Sequence, residues 1–225
     1  MTATLIETAL HDALLSKKRQ PAARESFWAS SFHQCVRKQI AERAGLVPTQ
    51  GPDMRAYFKM GTGTVIGKWV QDLLAEQGYL DPAFTERRFV YRSYVCRLDG
   101  YSDFEQAVVE IKTSDDSAIT RYPEVPEHYL WQCLLNARAA NVPKVVLLQI
   151  GKNQGITRAR ELFLDAGWIA KIDAEIDHIE AAWTAYDQTG VLPPHEHRYK
   201  WEDKLCAFLE PTLTPDTASV NGRRT

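Results

Sequence analysis

The sequence predicts an α/β fold with a central mixed β-sheet flanked by helices. Three observations carry this. The segment 86–98, ERRFVYRSYVCRL, is dense in aromatic and β-branched residues and reads as a strand. KVVLLQI at 144–150 is an almost unbroken apolar run, the pattern of a strand covered on both faces. Elsewhere apolar residues recur at three- and four-residue spacing, the pattern of helices with one buried side.

The elements follow in order. The first twenty residues suit a short helix, with Leu5, Ile6, Leu10, Leu14 and Leu15 near one face and Pro21 interrupting it. Residues 26–44 read as a helical region ended by Gly45 and Pro48. Over 64–77 Val65, Trp69 and Leu73 mark a helical stripe, accompanied by Val70 and Leu74, and Gly78 is a stop. The strand at 86–98 runs into Asp99-Gly100, a turn signal, and QAVVEIKT at 106–113 makes a second strand, so a hairpin is expected. A polar stretch suited to a mobile loop precedes Pro126 and a helix over 127–140. Ile172, Ile176, Ile179, Trp183 and Tyr186 form the core-facing stripe of a helix over about 170–188. A short helix is expected over 200–209. The whole reads as one domain over 1–210, its core at about 57–150, with a disordered tail over 211–225.

Composition narrows the function. With 27 Lys+Arg against 29 Asp+Glu, the net charge of -2 excludes a chain held to nucleic acid by bulk charge. It leaves room for a site with local acids for metal and local cations for phosphate. No apolar run approaches the roughly 20 residues that span a bilayer, and the N-terminus lacks a signal-peptide pattern. Cys35, Cys96, Cys133 and Cys206 are widely spaced and read as reduced cytoplasmic thiols. No Rossmann pattern or nucleophile elbow occurs, and GTGTVIGK at 61–68 lacks the spacing of a phosphate-binding loop.

The strongest chemical signal is Asp99 followed by Glu110-Ile111-Lys112. Strand alternation puts Glu110 and Lys112 on one face and Val109 and Ile111 on the other. A hairpin brings the Asp99 carboxylate beside Glu110. Two confined carboxylates repel each other unless a proton or cation intervenes, and hard oxygen ligands suit Mg²⁺ or Mn²⁺. The Ile111 carbonyl is a further candidate ligand. Lys112 would orient water or help deprotonate it, and neutralise charge on a phosphate. Asp103 rivals Asp99, since Asp99, Tyr101 and Asp103 share a face if the strand continues past Gly100.

Asp99-Gly100, Val108-Val109-Glu110-Ile111-Lys112-Thr113 and Gln132 together resemble the PD-(D/E)XK nuclease superfamily, most closely its RecB-like branch of phage exonucleases and CRISPR-associated adaptation nucleases. The resemblance implies a restriction-endonuclease-like core. It also implies metal binding by Asp99 and Glu110, a catalytic Lys112, and Gln132 on the following helix touching substrate or metal-bound water. Glu86 matches a glutamate frequent in the family, which implies a third metal carboxylate or a ligand that reaches the metal through water. The expected activity is Mg²⁺- or Mn²⁺-dependent hydrolysis of DNA, by an exonuclease working on ends or single strands, in a cytoplasm that is the host's if the chain is phage-encoded. DNA repair and recombination are the processes implied, with a second copy or a recombination protein as partner. The chain departs from the branch in three places. Gly67, four residues after Gly63, stands where many members carry a histidine, and Asn136 stands where many carry tyrosine. Some members hold an iron–sulfur cluster through one early and three late cysteines. Cys35 matches the early one and Cys206 is the only late one, so no iron–sulfur cluster is expected, and Trp201 and Cys206 read as packing. The alternative reading is a weakly active or inactive nuclease-fold protein that binds DNA or a partner.

Candidate phosphate contacts are Arg37, Lys38, Lys59, Lys68, Arg87, Arg88, Arg92, Arg121 and Arg138. Tyr122 and Tyr129 are candidates for stacking on a base. Trp28, Trp69, Trp131, Trp168 and Trp183 are expected in the core, and His128 lies one helical turn before Gln132. His195 and His197 form an HxH pair without a third ligand in view.

Overall fold

The structure is a computed structural model that describes residues 8–9, 13, 22–49, 54–121, 124–206 and 208. Thr8, Ala9 and Ala13 are helical; the rest of the expected first helix, Tyr122 and the expected tail lie outside the described residues. In chain order the elements are β1 (Phe27–Trp28), α1 (Val36–Arg43), α2 (Met54–Glu76), β2 (Arg88–Tyr91), β3 (Tyr94–Arg97), β4 (Gly100–Ser102), β5 (Ala107–Ser114), α3 (Asp116–Arg121), α4 (Glu127–Ala140), β6 (Lys144–Gly151), β7 (Thr157–Phe163), α5 (Ala166–Thr189) and α6 (Glu202–Leu205).

Two sheets result. The larger has the order β4-β5-β6-β7, and the smaller β1-β3-β2. In the larger, β5 pairs antiparallel with β4 and parallel with β6, and β7 returns antiparallel on β6. It is therefore mixed, and helices cover both faces as the apolar run of β6 requires. On one face Cys133 and Ala137 of α4 pack against Val108, Val145 and Leu147. On the other, Ile66, Val70 and Leu74 of α2 pack against Val109, Ile111 and Ile150. A third cluster joins Leu134 and Leu135 of α4 to Ile172, Ile176 and Ile179 of α5 and to Phe27, Phe32, Ile40 and Tyr94. No described helix is long and apolar enough to cross a membrane.

Five expectations are corrected. The region 26–44 is not one helix, because Phe27, Ala29 and Phe32 turn into the core through β1 and a 3₁₀ turn. His33 then takes a left-handed φ of 57°, and the helix starts only at Val36. The strand at 86–98 is two strands folded at Arg92, whose φ is 52°. That turn delivers the Arg92 guanidinium to Asp177 and Glu180 of α5. Asp99-Gly100 is not the hairpin turn. Gly100 opens β4, where an added Cβ would stand 2.9 Å from both methyls of Leu80. The polar stretch after β5 contains α3, tied down by Asp116, which accepts the N–H groups of Asn153 at 3.1 Å and Gln154 at 3.0 Å. Finally, α2 is rotated by one residue from the expected stripe. Val65, Trp69 and Leu73 face outward, with Trp69 61% exposed, while Ile66, Val70 and Leu74 face the sheet. The edge strand β7 was not foreseen, because TRARELF places charges on both faces.

Candidate active site

The site begins where β4 stops. Three residues of β4 cover only Ala107, Val108 and Val109 of the eight-residue β5. From Glu110 onward that edge of β5 has no strand beside it among the described residues. The chain before β4 turns away at Asp99, and the Asp99 carboxylate takes the place of a strand carbonyl: its Oδ2 accepts the Ile111 N–H at 2.7 Å. In an extended strand the N–H and C=O of one residue point the same way, so the Ile111 carbonyl also faces this gap. Gln71 of α2, 2% exposed, donates to the Asp99 backbone carbonyl and fixes the turn from below. Asp103 sits exposed in the turn after β4 and lines no part of the site.

Alternation along β5 puts Glu110 and Lys112 on the α4 side together, as expected. Glu110 is 2% exposed. Lys112 Nζ lies 2.5 Å from Glu110 Oε1 and donates to Gln132 Oε1 at 3.0 Å. Gln132 Nε2 donates to the same Glu110 oxygen at 2.8 Å, and Asn136 Nδ2 donates to Oε2 at 2.9 Å. One helix turn of α4 thus holds both ends of the carboxylate. Asn136 was not singled out as a site residue, although its i, i+4 relation to Gln132 puts it on the same helix face. Asn136→Ala strips Glu110 Oε2 of its buried donor and is expected to lower stability by about 1–3 kcal/mol, read from the urea midpoint; an unchanged midpoint would show that water serves that oxygen as well.

The electrostatics follow from crowding. Burial first, then the Glu110 charge, push the Asp99 carboxyl up to about 7, against the pull of Lys112 and of the Ile111 N–H. Burial opposes the charge on Lys112, but Glu110 and Asp99 outweigh it and raise its pKa, so the ammonium persists at neutral pH.

These groups line an open cleft of about 870 Å³ between α2, β5 and the segment 28–30. Asp99, Glu110, Ile111, Lys112, Gln132 and Glu86 all line it. Glu86 pairs with Arg97 at 2.9 Å and sits in a left-handed turn, with φ 56°, before β2 rather than at a strand start. Of the expected phosphate contacts, Lys59 and Lys68 reach the cleft; Arg97 and Lys152 do too, and were missed. The others serve elsewhere. Arg37 holds the carbonyls of Pro193 and Phe208, Arg92 binds α5, Arg138 pairs with Asp173, and Lys38 bonds Gln34. Arg87 and Arg88 lie over aromatic rings, and Arg121 ends α3. Trp28 lines the cleft instead of the core. Tyr129 lies under Lys112, whose Nζ is 5.5 Å from the ring centroid. His128 packs against Tyr129, Tyr199 and Trp201 rather than lining the cleft.

A second group corrects the reading of the HxH pair. Cys35, His195, His197 and Cys206 converge, with one ligand atom of each lying within 4.8 Å of all the others. The pair therefore has Cys35 and Cys206 beside it as candidate ligands. The group is a Cys₂His₂ constellation suited to a metal ion, its cysteines buried and its histidines half-buried. All four cysteines are free of disulfides.

The mixed sheet flanked by helices matches the restriction-endonuclease-like architecture of similar solved structures. No family model matches the chain, and no curated protein matches it in sequence. Three of the similar solved structures are these. An alkaline exonuclease, LHK-Exo, from Laribacter hongkongensis aligns with TM-score 0.53 and 14% identity, covering 72% of this chain and 89% of that one. The structure of SSO0001 aligns with TM-score 0.53 and 16% identity, covering 90% of this chain and 93% of that one. LHK-Exo in complex with dAMP aligns with TM-score 0.51 and 16% identity, covering 72% and 89%. At such identities the shared property is the fold.

Proposed function

We propose that the chain is a Mg²⁺- or Mn²⁺-dependent deoxyribonuclease, a single nuclease-fold unit over 1–210 that works as an exonuclease on DNA ends or single strands. One observation carries the reading. The Asp99 carboxylate caps the free edge of β5 at Ile111, beside a buried Glu110 whose neighbour across the strand face is Lys112. The donor set fits a hard divalent cation. Two carboxylates and a strand carbonyl face one gap, and burial, then the Glu110 charge, hold the Asp99 proton up to about 7. Asp99, Glu110 and the Ile111 carbonyl would hold the cation, with Glu86 at the rim. A cation bound there supplies Lewis acidity and makes water a nucleophile near neutral pH.

The remaining work belongs to the chain. Lys112, kept charged by its carboxylates, neutralises the charge that grows on the phosphate. Gln132 bridges Lys112 and Glu110, fixing their spacing. Lys59, Lys68 and Lys152 on the cleft wall attract the backbone, and Trp28 offers a face to an unpaired base. The fold shared with an alkaline exonuclease supports the choice of DNA ends.

Incubation with labelled linear single strands, linear duplex and closed single-stranded circles tests the reading. With Mg²⁺ or Mn²⁺ the linear DNA should be shortened and the circles spared; chelator should stop the reaction. Cut circles would make it an endonuclease, and preference for a matched RNA would change the substrate. Gly67, at the position of the helix histidine, favours a second reading: a nuclease-fold protein that binds DNA or a partner with weak or no catalysis. DNA bound but uncut in both cations would select that reading.

A further inference from the structure

We propose that Cys35, His195, His197 and Cys206 form a closed site for a single zinc ion that staples the segment before α1 to the chain beyond α5. The site lies outside the nuclease-like cleft, and no residue of it lines that cleft. Three independent features support it.

The first is spacing. Cys35 Sγ and Cys206 Sγ lie 3.7 and 3.8 Å from His195 Nδ1. A tetrahedral zinc with Zn–S of about 2.3 Å and Zn–N of about 2.0–2.1 Å sets a sulfur and a nitrogen roughly 3.6 Å apart. The four ligand atoms thus stand close to where one central ion would hold them. An iron–sulfur core would separate ligands on different irons by more than the observed 4.8 Å limit, since inorganic atoms lie between them. Two thiolates and two imidazoles in a tetrahedral set are a zinc combination.

The second is the state of His197. Its Nδ1 faces Asp203 Oδ1 at 2.8 Å. Its Nε2 is buried and has no hydrogen-bond partner among the described residues. A carboxylate behind one ring nitrogen fixes the tautomer and leaves the other lone pair for a metal. Without an ion, that lone pair is a buried acceptor left unsatisfied.

The third is closure. Four protein ligands fill a tetrahedral set and leave no open position for a substrate, with both cysteines buried and both histidines half-buried. That is the arrangement of a structural zinc. The surrounding bonds share its purpose. Glu202 Oε1 accepts the Cys35 N–H at 2.7 Å, while its Oε2 accepts the N–H groups of Arg198 and Tyr199. Tyr199 bonds His33 at 2.9 Å, and His33 stacks on Trp131, beside Gln132, with ring centroids 4.0 Å apart. The staple thereby steadies the wall of the cleft without touching its chemistry.

Metal analysis of the purified chain tests this. After dialysis against Mg²⁺ buffer it should retain about one zinc per chain. Cobalt substitution should give the visible bands of a tetrahedral, thiolate-bound ion. Cys206→Ser and His197→Ala should lose the zinc and melt at lower temperature, whereas Asp99→Asn should keep it. Asp203→Asn should keep the site but weaken zinc affinity by about 10–100-fold. Wild-type protein from zinc-supplemented cells that carries no zinc and gives no cobalt bands overturns the proposal, without recourse to any variant. So does stoichiometric iron with acid-labile sulfide. Zinc that survives Cys35→Ser but vanishes in Asp99→Asn would assign it to the cleft and overturn the proposal as well.

Discussion

Lys112→Ala is expected to lower cation-dependent DNA cleavage by about 10²–10³-fold or more, while the protein still takes up its divalent cation. The ammonium sits 2.5 Å from Glu110 and, together with Gln132, occupies the Oε1 side of that carboxylate. Removing it deletes the positive charge facing the scissile phosphate but leaves both carboxylates. The same removal frees Glu110, so Mn²⁺ should bind as tightly as before or tighter. Titration of Mn²⁺ by electron paramagnetic resonance, beside single-turnover cleavage, separates the two effects. A variant that cuts at the wild-type rate would remove Lys112 from the mechanism. One that loses both Mn²⁺ and cleavage would make Lys112 a structural support of the carboxylates.

Asp99→Asn should abolish cleavage and, without metal, make the protein more stable than wild type at alkaline pH. Folded Asp99 keeps its proton to about pH 7, because burial and the Glu110 charge disfavour a second carboxylate. An unfolded aspartate loses its proton near pH 4, at about 3.9. Between those values the folded state binds more protons than the unfolded one. Its stability from this group therefore falls as pH rises through that window, and the loss is complete above the folded value. Asparagine can still accept the Ile111 N–H and carries no charge, so that stretch of the pH profile should flatten. Magnesium should restore stability to the wild type at pH 8 and do little for the variant. Thermal melts from pH 4 to 8, with and without Mg²⁺, supply the test. A wild-type profile that rises with pH across this window would show that Asp99 is ionised throughout, with its repulsion already relieved.

The two acids and the lysine were legible because they depend on short-range geometry. Parity along β5 sets Glu110 and Lys112 on one side and Val109 and Ile111 on the other whatever the rest of the chain does. Helix α4 was legible for a similar reason, with Pro126 before its start and apolar residues at helical spacing. The expected hairpin of 86–98 with 106–113 was not: 86–98 folds on itself as β2-β3, and β5 pairs with β4 instead. The phase of α2 was not legible. Val65-Trp69-Leu73 and Ile66-Val70-Leu74 have the same four-residue spacing, so periodicity alone cannot choose between them. The sheet chose the second, presenting its Val109, Ile111 and Ile150 to side chains without the bulk of tryptophan.

Sequence alone therefore determined which groups β5 carries, which face each takes, and that an α/β sheet would bury its apolar strands. Those are consequences of a two-residue pleat and of apolar surface leaving water. Tertiary structure decided what meets what across long stretches of chain. Asn136 reaches Glu110 from a separate helix, and Gln71 meets Asp99 from another. Cys35 meets His195 across 160 residues. Local pattern has no term for such meetings: they are settled when layers pack, and packing depends on every side chain between the layers at once.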